Sequence, residues 1–268
     1  MKSDARPALA RLAHGLTRGA VVVLALGLAG MLLQRVIAPV WSAARVRQPV
    51  LRLGAATAQG ATLGLLGGFR ALVADALWLR LYALWERRDA PGTDAAAQLV
   101  TAVDPRPAFF WINAARMLAH DLPVWRIEAE GGFAAVPAGR QRQIETEQAQ
   151  RAIALLDRAR QFHPRNAQLW LERANIELQP LRDFNAAAES YRRAWEVPDA
   201  PYYVARLHAE MLRRAGRKAE ALAWLERLYP ELPRDDESAA APVVLARIRE
   251  LEQELGVPPE RVFAPVAR

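Results

Sequence analysis

The amino-acid sequence predicts an all-α protein whose helices pair into hairpins that stack one after another. Alanine and aliphatic residues dominate the chain, while runs that alternate apolar and polar residues, as half-buried strands do, are scarce. Proline and glycine gather between stretches whose apolar residues have helical spacing. One arrangement of small, aromatic and proline residues recurs along residues 106–230, which is typical of a stack of similar units. We therefore expect an α-solenoid that follows a single N-terminal transmembrane helix.

The excess positive charge lies entirely at the start of the chain. The sequence has 36 basic and 29 acidic residues, a net charge of +7. Residues 1–52 hold eight of the basic residues and one acidic residue, so residues 53–268 carry no net charge. A helical body without excess positive charge lacks the electrostatic attraction that drives binding to DNA or RNA. We therefore expect no nucleic-acid partner.

A long apolar run follows the basic leader formed by residues 1–18. Residues 19–33 are apolar without interruption, and the next eight residues add Arg35, which can extend its charge to the interface, and the interfacial residue Trp41. Because a hydrocarbon core of about 30 Å needs roughly 20 helical residues, we predict a membrane anchor over residues 19–41. The alternative is a signal peptide cleaved near Ser42-Ala43-Ala44.

The basic residues that flank this span give little asymmetry to orient it. Four precede residue 19 and four lie between residues 35 and 52. A short basic leader before one span favours a cytoplasmic N-terminus, with the body outside the cytoplasm. We interpret residues 42–66 as a connector. A second span over residues 53–69, which are uncharged but rich in Gly, Ala and Thr, is the alternative.

Small side chains recur at fixed positions in the predicted hairpins. In three second helices, Ala or Leu occupies positions that precede Pro164, Pro198 and Pro230 at similar distances. Small residues at a helix crossing allow two antiparallel helices to approach closely, and a proline ends the second helix. The predicted packing positions are Trp111, Ala115, Ala152, Ala159, Trp170, Ala174, Ala187, Tyr191, Ala194, Ala209 and Ala221.

These positions resemble those of tetratricopeptide repeats (TPRs), helix–turn–helix units that stack into a solenoid. The resemblance divides the body into units over residues 106–164, 165–198 and 199–230. A capping helix over residues 238–256 and a tail over residues 257–268 follow. Two departures occur in the unit over residues 165–198: Pro180 lengthens the turn, and Arg173 stands where a Leu is usual.

A divergent first hairpin is predicted over residues 67–105. Together with the segment up to Trp125, it resembles a group of uncharacterised bacterial membrane-anchored helical-repeat proteins, on the motif that contains Arg70, Asp75, Trp78 and Arg80. The resemblance implies a place in the cell envelope, hence the bacterial inner membrane with a periplasmic body, and it implies no chemistry.

The charged residues of this motif have two interpretations. We expect Asp75 to pair with a cation of the next helix or with backbone amides, because charge in an apolar helix must be compensated. The alternative is a membrane-surface ligand-binding or enzymatic module that uses a pocket around Arg70, Asp75 and Trp78.

The second hairpin carries an insertion over residues 122–144. Its Gly and Pro residues exclude one continuous helix, so we predict an inserted loop. Three apolar side chains in it, Trp125, Ile127 and Phe133, are candidates for contact with a partner, since loops on rigid repeats often hold partners. The alternative is a loop that folds back on its own apolar residues.

The sequence lacks the motifs of a catalytic or cofactor-binding protein. The four histidines are isolated, no phosphate-binding loop is present, and the absence of Cys excludes thiolate chemistry. We therefore predict a non-catalytic scaffold without metal or cofactor. Its expected partners are a protein or peptide, which could belong to a membrane complex, and the lipid bilayer through residues 19–41.

Overall fold

A computed structural model of the protein describes residues 70–233 and 236–264, and all regular elements in these ranges are helical. The leader, the predicted anchor over residues 19–41, the connector and the alternative second span over residues 53–69 lie outside the described residues. The chain divides between Leu72 and Val73, and the stack of helices described below belongs to the part that starts at Val73.

Ten α-helices follow one another along the described residues. They are α1 (Arg70–Glu86), α2 (Ala90–Val103), α3 (Ala108–Arg116), α4 (Leu122–Ala129), α5 (Ala138–Phe162), α6 (Ala167–Leu178), α7 (Phe184–Trp195), α8 (Tyr202–Arg214), α9 (Lys218–Leu228) and α10 (Ala241–Leu255). A π-helical turn, Met117–Asp121, joins α3 to α4. Several helices begin at side-chain caps: Asp89, Asn166 and Asp183 accept hydrogen bonds from backbone amides of the first turn.

Alternate helices of the first two hairpins run in the same direction. Trp78 of α1 lies 5.1 Å from Phe110 of α3, between ring centroids, and further along the chain Arg88, in the turn after α1, pairs with Glu128 of α4 at 2.7 Å. Helices α2 and α5 are paired likewise, because α5 side chains bond to Asp94 and then to Gln98 in chain order. Neighbouring helices from α6 to α9 also pack in sequence. The helices therefore form stacked hairpins, as predicted.

The small residues expected at the crossings lie in the core. Ala115, Ala152, Ala159, Ala174, Ala187, Ala194 and Ala221 have no exposed surface, and Ala209 is almost fully buried. The aromatic positions fill the spaces between helix pairs. Trp111 stacks on Phe162 with a centroid distance of 5.8 Å, and half-buried Trp170 lies 3.8 Å beneath the guanidinium of Arg160.

Helix α6 is buried on two sides. Leu169 and Ile176 belong to the core shared by the first two hairpins, whereas Leu171 and Ala174 belong to the core of α7 to α10. The same helix also buries two carboxylates. Glu172 pairs with Arg116 at 2.7 Å, and Glu177 pairs with Arg173 at 2.7 Å and accepts a hydrogen bond from Ser190.

The expected inserted loop over residues 122–144 requires a correction. Helix α4 covers Leu122–Ala129 and helix α5 starts at Ala138, so only the residues between them form a turn. The Gly and Pro residues do exclude one continuous helix, but they mark the turn alone. The insertion therefore lengthens both helices of the second hairpin.

Helix α10 covers the C-terminal end of the stack, at the place predicted for a capping helix. It packs against α9, and Gly256 ends it with a φ of +63°. The tail then turns back on the body: Phe263 lies edge-on to Tyr229 with a centroid distance of 5.7 Å, and its amide donates to the buried carboxylate of Glu252. Residues 265–268 lie outside the described residues.

A neutral histidine is built into the α7–α8 contact. His208 is 6% exposed, its Nδ1 lies 2.8 Å from the carbonyl oxygen of Ala188, and its ring lies 4.4 Å from that of Trp224. Burial lowers the pKa of His208 below its ordinary value of 6.5, and the hydrogen bond to Ala188 offsets only part of this effect.

Because the folded state lowers this pKa, the unfolded chain binds more protons at His208 once the pH falls below about 6.5. The contribution of neutral His208 to the free energy of unfolding is therefore complete above about pH 6.5 and is lost as the pH falls through the folded-state pKa. We expect the free energy of unfolding, measured with urea, to decrease between about pH 7 and about pH 5.5. His208→Gln should reduce this pH dependence, while a His120→Gln control, at an exposed position, should retain it. Equal pH dependence in both variants would contradict the assignment.

Candidate partner-binding surface

The second hairpin extends well beyond its neighbours. Its helix α5 has 25 residues, whereas α6 and α7 have 12 each. Opposite α5, the chain stays helical from Ala108 to Ala129 through α3, the π-helical turn and α4. We call residues 122–144, which form the far part of this hairpin, the hairpin extension.

Side-chain contacts connect the base of the hairpin extension, and the residues that flank it, to the end of α1 and the turn that follows. The indole nitrogen of Trp85 donates to Asp121 at 2.8 Å, and Arg88 pairs with Glu128 at 2.7 Å. Across the hairpin, Arg126 pairs with Glu147 at 3.1 Å, and this contact lowers the pKa of Glu147. These contacts fix the direction in which the extension leaves the stack.

Three apolar side chains form a small core within the hairpin extension. Ile127 of α4 and Ile144 of α5 have no exposed surface, and Val136 of the turn is 6% exposed. Removing these side chains from water stabilises the contact between the two helices by about 25 cal/mol for each Å² of apolar area buried. The extension is therefore a packed element.

The turn depends on two glycines with positive φ. Gly131 has a φ of +116° and Gly132 a φ of +88°, values that cost little only for a residue without a Cβ atom. The amide of Gly132 donates to Ile127 at 2.9 Å, and the amides of Ala135 and Val136 both donate to the carbonyl of Gly132 at 3.0 Å. This pattern closes helix α4 and curls the chain back towards α5.

Side chains of α5 hold the far side of the turn. The side-chain amide nitrogen of Gln141, Nε2, donates to the backbone carbonyl oxygens of Phe133 and Val136, each at 2.8 Å. Arg140 makes two hydrogen bonds to Glu130, at 2.7 and 3.0 Å, and these hydrogen bonds lower the pKa of Glu130. The backbone of the tip is thus connected to both helices.

Phe133 projects from this fixed backbone. Its side chain is 50% exposed, and the neighbouring Ala134 and Ala135 are exposed small residues. A large apolar side chain on a constrained backbone, with small neighbours, is the form that interface anchors take. We call Phe133 with Ala134 and Ala135 the tip.

The structure separates the three side chains that were predicted to contact a partner. Phe133 is exposed, whereas Trp125 is half-buried, with a centroid distance of 6.2 Å to Trp85. Ile127 is fully buried in the small core, so its predicted partner contact needs correcting: it supports the tip from inside. The spacing of Leu122, Pro123 and Ile127, which places them on one face of a helix, is the sequence signal for this burial.

The motif of α1 is also distributed differently from the prediction. Trp78 is buried against Phe109 and Phe110, with centroid distances of 5.3 and 5.1 Å. Asp75 and Arg80 are exposed, and neither has an ion pair among the described residues. Among the described residues, Asp75 therefore lacks the predicted ion pair with a cation of the next helix. Asp75 faces solvent and Trp78 faces the core; the alternative of a ligand-binding or enzymatic pocket around Arg70, Asp75 and Trp78 stays a prediction.

A cleft between α8 and α10 was not identified from the sequence. Tyr203 and Val243 form its exposed apolar part, and Glu210 and Arg247 lie at its polar part. Hydrogen bonds from Arg213, and then from Arg214, lower the pKa of Glu210 to about 2. The carboxylate thus pairs with two arginines of its own helix and, at 3.9 Å, with Arg247 of α10.

Two further properties hold for residues 70–233 and 236–264. No group of three or more His, Asp or Glu side chains in these ranges is placed to bind a metal ion. None of the helices in these ranges combines the length and apolarity that crossing a bilayer requires.

Comparison with known proteins finds similarity among solved structures. No family model matches the chain, and no curated protein matches it. Among solved structures, the chain is similar to a thermophilic TPR protein of Thermus thermophilus, with 20% identity over 70% of this chain and 90% of that one and a TM-score of 0.38. The stacked hairpins and their buried alanines define a TPR-like helical-repeat protein.

The role of Gln141 in ordering the tip can be measured by amide hydrogen exchange. Each lost hydrogen bond costs about 1 kcal/mol, so Gln141→Ala should accelerate exchange at Gly132, Ala135 and Val136 by about tenfold or more, with little change in global stability. Gln143→Ala is the matched control, because within the described part of the chain the side chain of Gln143 bonds to Glu147 and not to the tip. Unchanged exchange at the tip of Gln141→Ala would show that Gln141 does not order it.

Proposed function

We propose that this protein is a non-catalytic scaffold that holds a protein or peptide partner at the tip of its hairpin extension. The exposure of Phe133 on a turn fixed by Gln141, Arg140 and two glycines is the observation that carries the proposal. The TPR-like fold supports the general role in protein–protein interaction, because stacked hairpins provide rigid, extended surfaces for partners.

Order in the free tip favours binding. A flexible loop loses conformational entropy when a partner fixes it, whereas a turn already held by hydrogen bonds loses little. The exposed aromatic ring offers a large apolar area with only two side-chain torsions to immobilise. The partner that fits this surface has an apolar pocket able to accept a phenyl ring.

We further propose that residues 19–41 anchor the scaffold in the bacterial inner membrane, with the body in the periplasm. The apolar run, Trp41 and the flanking basic residues support this part. Reporter domains fused to the C-terminus test the side: activity of a periplasmic reporter is expected, and activity only of a cytoplasmic reporter would contradict it. The mass of the mature chain distinguishes an anchor from a cleaved signal peptide.

The partner site can be tested by site-specific photo-cross-linking in cells. A photoreactive phenylalanine analogue at position 133 should form a discrete cross-linked product with the partner. Unlabelled wild-type protein should compete with this cross-linking, and unlabelled Phe133→Ala protein should compete at least about tenfold less well, because it lacks the interface anchor. The same analogue at Leu99, an exposed apolar residue of α2, is the matched control. Equal products at positions 133 and 99, or equal competition by Phe133→Ala, would contradict a site at the tip.

A further inference from the structure

The C-terminal tail stands where the second helix of a further unit is expected. In the preceding units a second helix follows each first helix and packs against it, as α7 does on α6 and α9 on α8. No α-helix follows α10 within residues 70–233 and 236–264. Residues 257–264 instead turn back beside α10, so that the backbone amide of Phe263 donates to the carboxylate of Glu252, eleven residues earlier.

Two apolar side chains hold this tail against the body. Val257 and Phe263 are half-buried and pack on the core of α7 to α10, and the ring of Phe263 meets that of Tyr229 edge-on at 5.7 Å. Residues 259–262 between them are exposed, and the two charged residues among them make no ion pair within the described part of the chain. A segment held at so few points can be displaced by a ligand that fills both of them.

Carboxylates border the face that the tail covers. Glu252 is 4% exposed and pairs with Arg249 at 2.7 Å. Glu226 precedes Tyr229 by three residues and therefore lies on the same side of α9. Burial raises the pKa of Glu226, repulsion from nearby Glu252 adds to this effect, and no cation of the described residues pairs with Glu226. We call the face lined by Glu226, Tyr229 and Glu252 the terminal groove.

The charge of the terminal groove decides which occupant suits it. Two copies joined through this groove would bring both pairs of carboxylates together, and like charges repel. A cation placed opposite Glu226 would instead compensate a half-buried charge that the tail leaves unpaired. A helix that begins beside Glu252 can also replace the amide of Phe263, because the amides of a first helical turn have no partner within their own helix.

We propose that the terminal groove binds an amphipathic helix of a partner protein, which displaces the tail and places a lysine or arginine opposite Glu226. An apolar side chain of that helix packs on Tyr229 in place of Phe263, in the manner of other helix-in-groove complexes. The tail is the strap that closes the groove in the free chain. This site is separate from the tip, and its occupation does not depend on Phe133.

A matched pair of model peptides tests the charge of the occupant. Both are fluorescently labelled amphipathic helices of about 15 residues, with leucines and one phenylalanine along one face; the other face carries lysine in one peptide and glutamate in its counterpart. Binding to the 268-residue chain is measured by fluorescence anisotropy, with every variant in the same detergent. The lysine peptide should bind at least about tenfold more tightly than the glutamate peptide, as attraction to Glu226 and Glu252 requires.

Variants of the chain place this binding at the terminal groove. Phe263→Ala should raise the apparent affinity for the lysine peptide by about threefold or more, because the tail competes less well, and a chain that ends at Gly256 should do the same. Val262→Ala, at a tail position that is 37% exposed, should not. Glu226→Gln should lower the affinity by about threefold, whereas Glu250→Gln, an equal change of charge on the exposed face of α10, should leave it unchanged.

Three outcomes overturn the proposal, provided that circular dichroism shows native helix content. The first is equal binding of the two peptides, and the second is unchanged affinity in both Phe263→Ala and the chain that ends at Gly256. The third is self-association of these two opened chains, seen by sedimentation, without tighter binding of the lysine peptide, because the groove then accepts a second copy instead.

Discussion

Close approach of neighbouring helices through buried alanines is the constraint on which the rest of this structure depends. Ala174, Ala187 and Ala194 have no exposed surface where α6 and α7 meet, and Ala188 is almost fully buried beside them. A methyl side chain has no rotamers to immobilise, and it allows helix axes to approach near the lower end of the usual range of about 8–10 Å. Because each hairpin packs this closely, the order of the helices in space follows their order in the chain.

The stack is a continuous body because α6 serves two cores. One side of this helix closes the core of the first two hairpins, and the other side opens the core that runs to α10. The ion pair of buried Glu172 with exposed Arg116 joins α6 to α3 across this boundary at 2.7 Å. The hairpin extension is built on the first core, so the stability of its base is coupled to that of the remaining repeats.

Much of this fold could be predicted from the sequence, because its main signal is local. The spacing of Ala187, Tyr191 and Ala194 before Pro198 defines a helix and its buried face without knowledge of any other segment. The hairpin extension could not be predicted in the same way. Gly131, Gly132 and Pro137 resemble the breakers of a long loop, and the helical character of their flanks depends on contact of Ile127 with residues beyond the turn. The exposure of Asp75 likewise depends on which face of α1 the other helices cover, which its own sequence does not specify.

Replacement of a crossing alanine tests the central constraint most directly. Ala187→Leu introduces three extra carbon atoms where α6 and α7 meet, and Ala223→Leu introduces the same atoms at an exposed position of α9. With urea unfolding as the measurement, Ala187→Leu should lower the free energy of unfolding by about 1–3 kcal/mol, and Ala223→Leu should change it by less than about 0.5 kcal/mol. If the two variants are equally stable, close helix crossing through alanine does not hold the stack together.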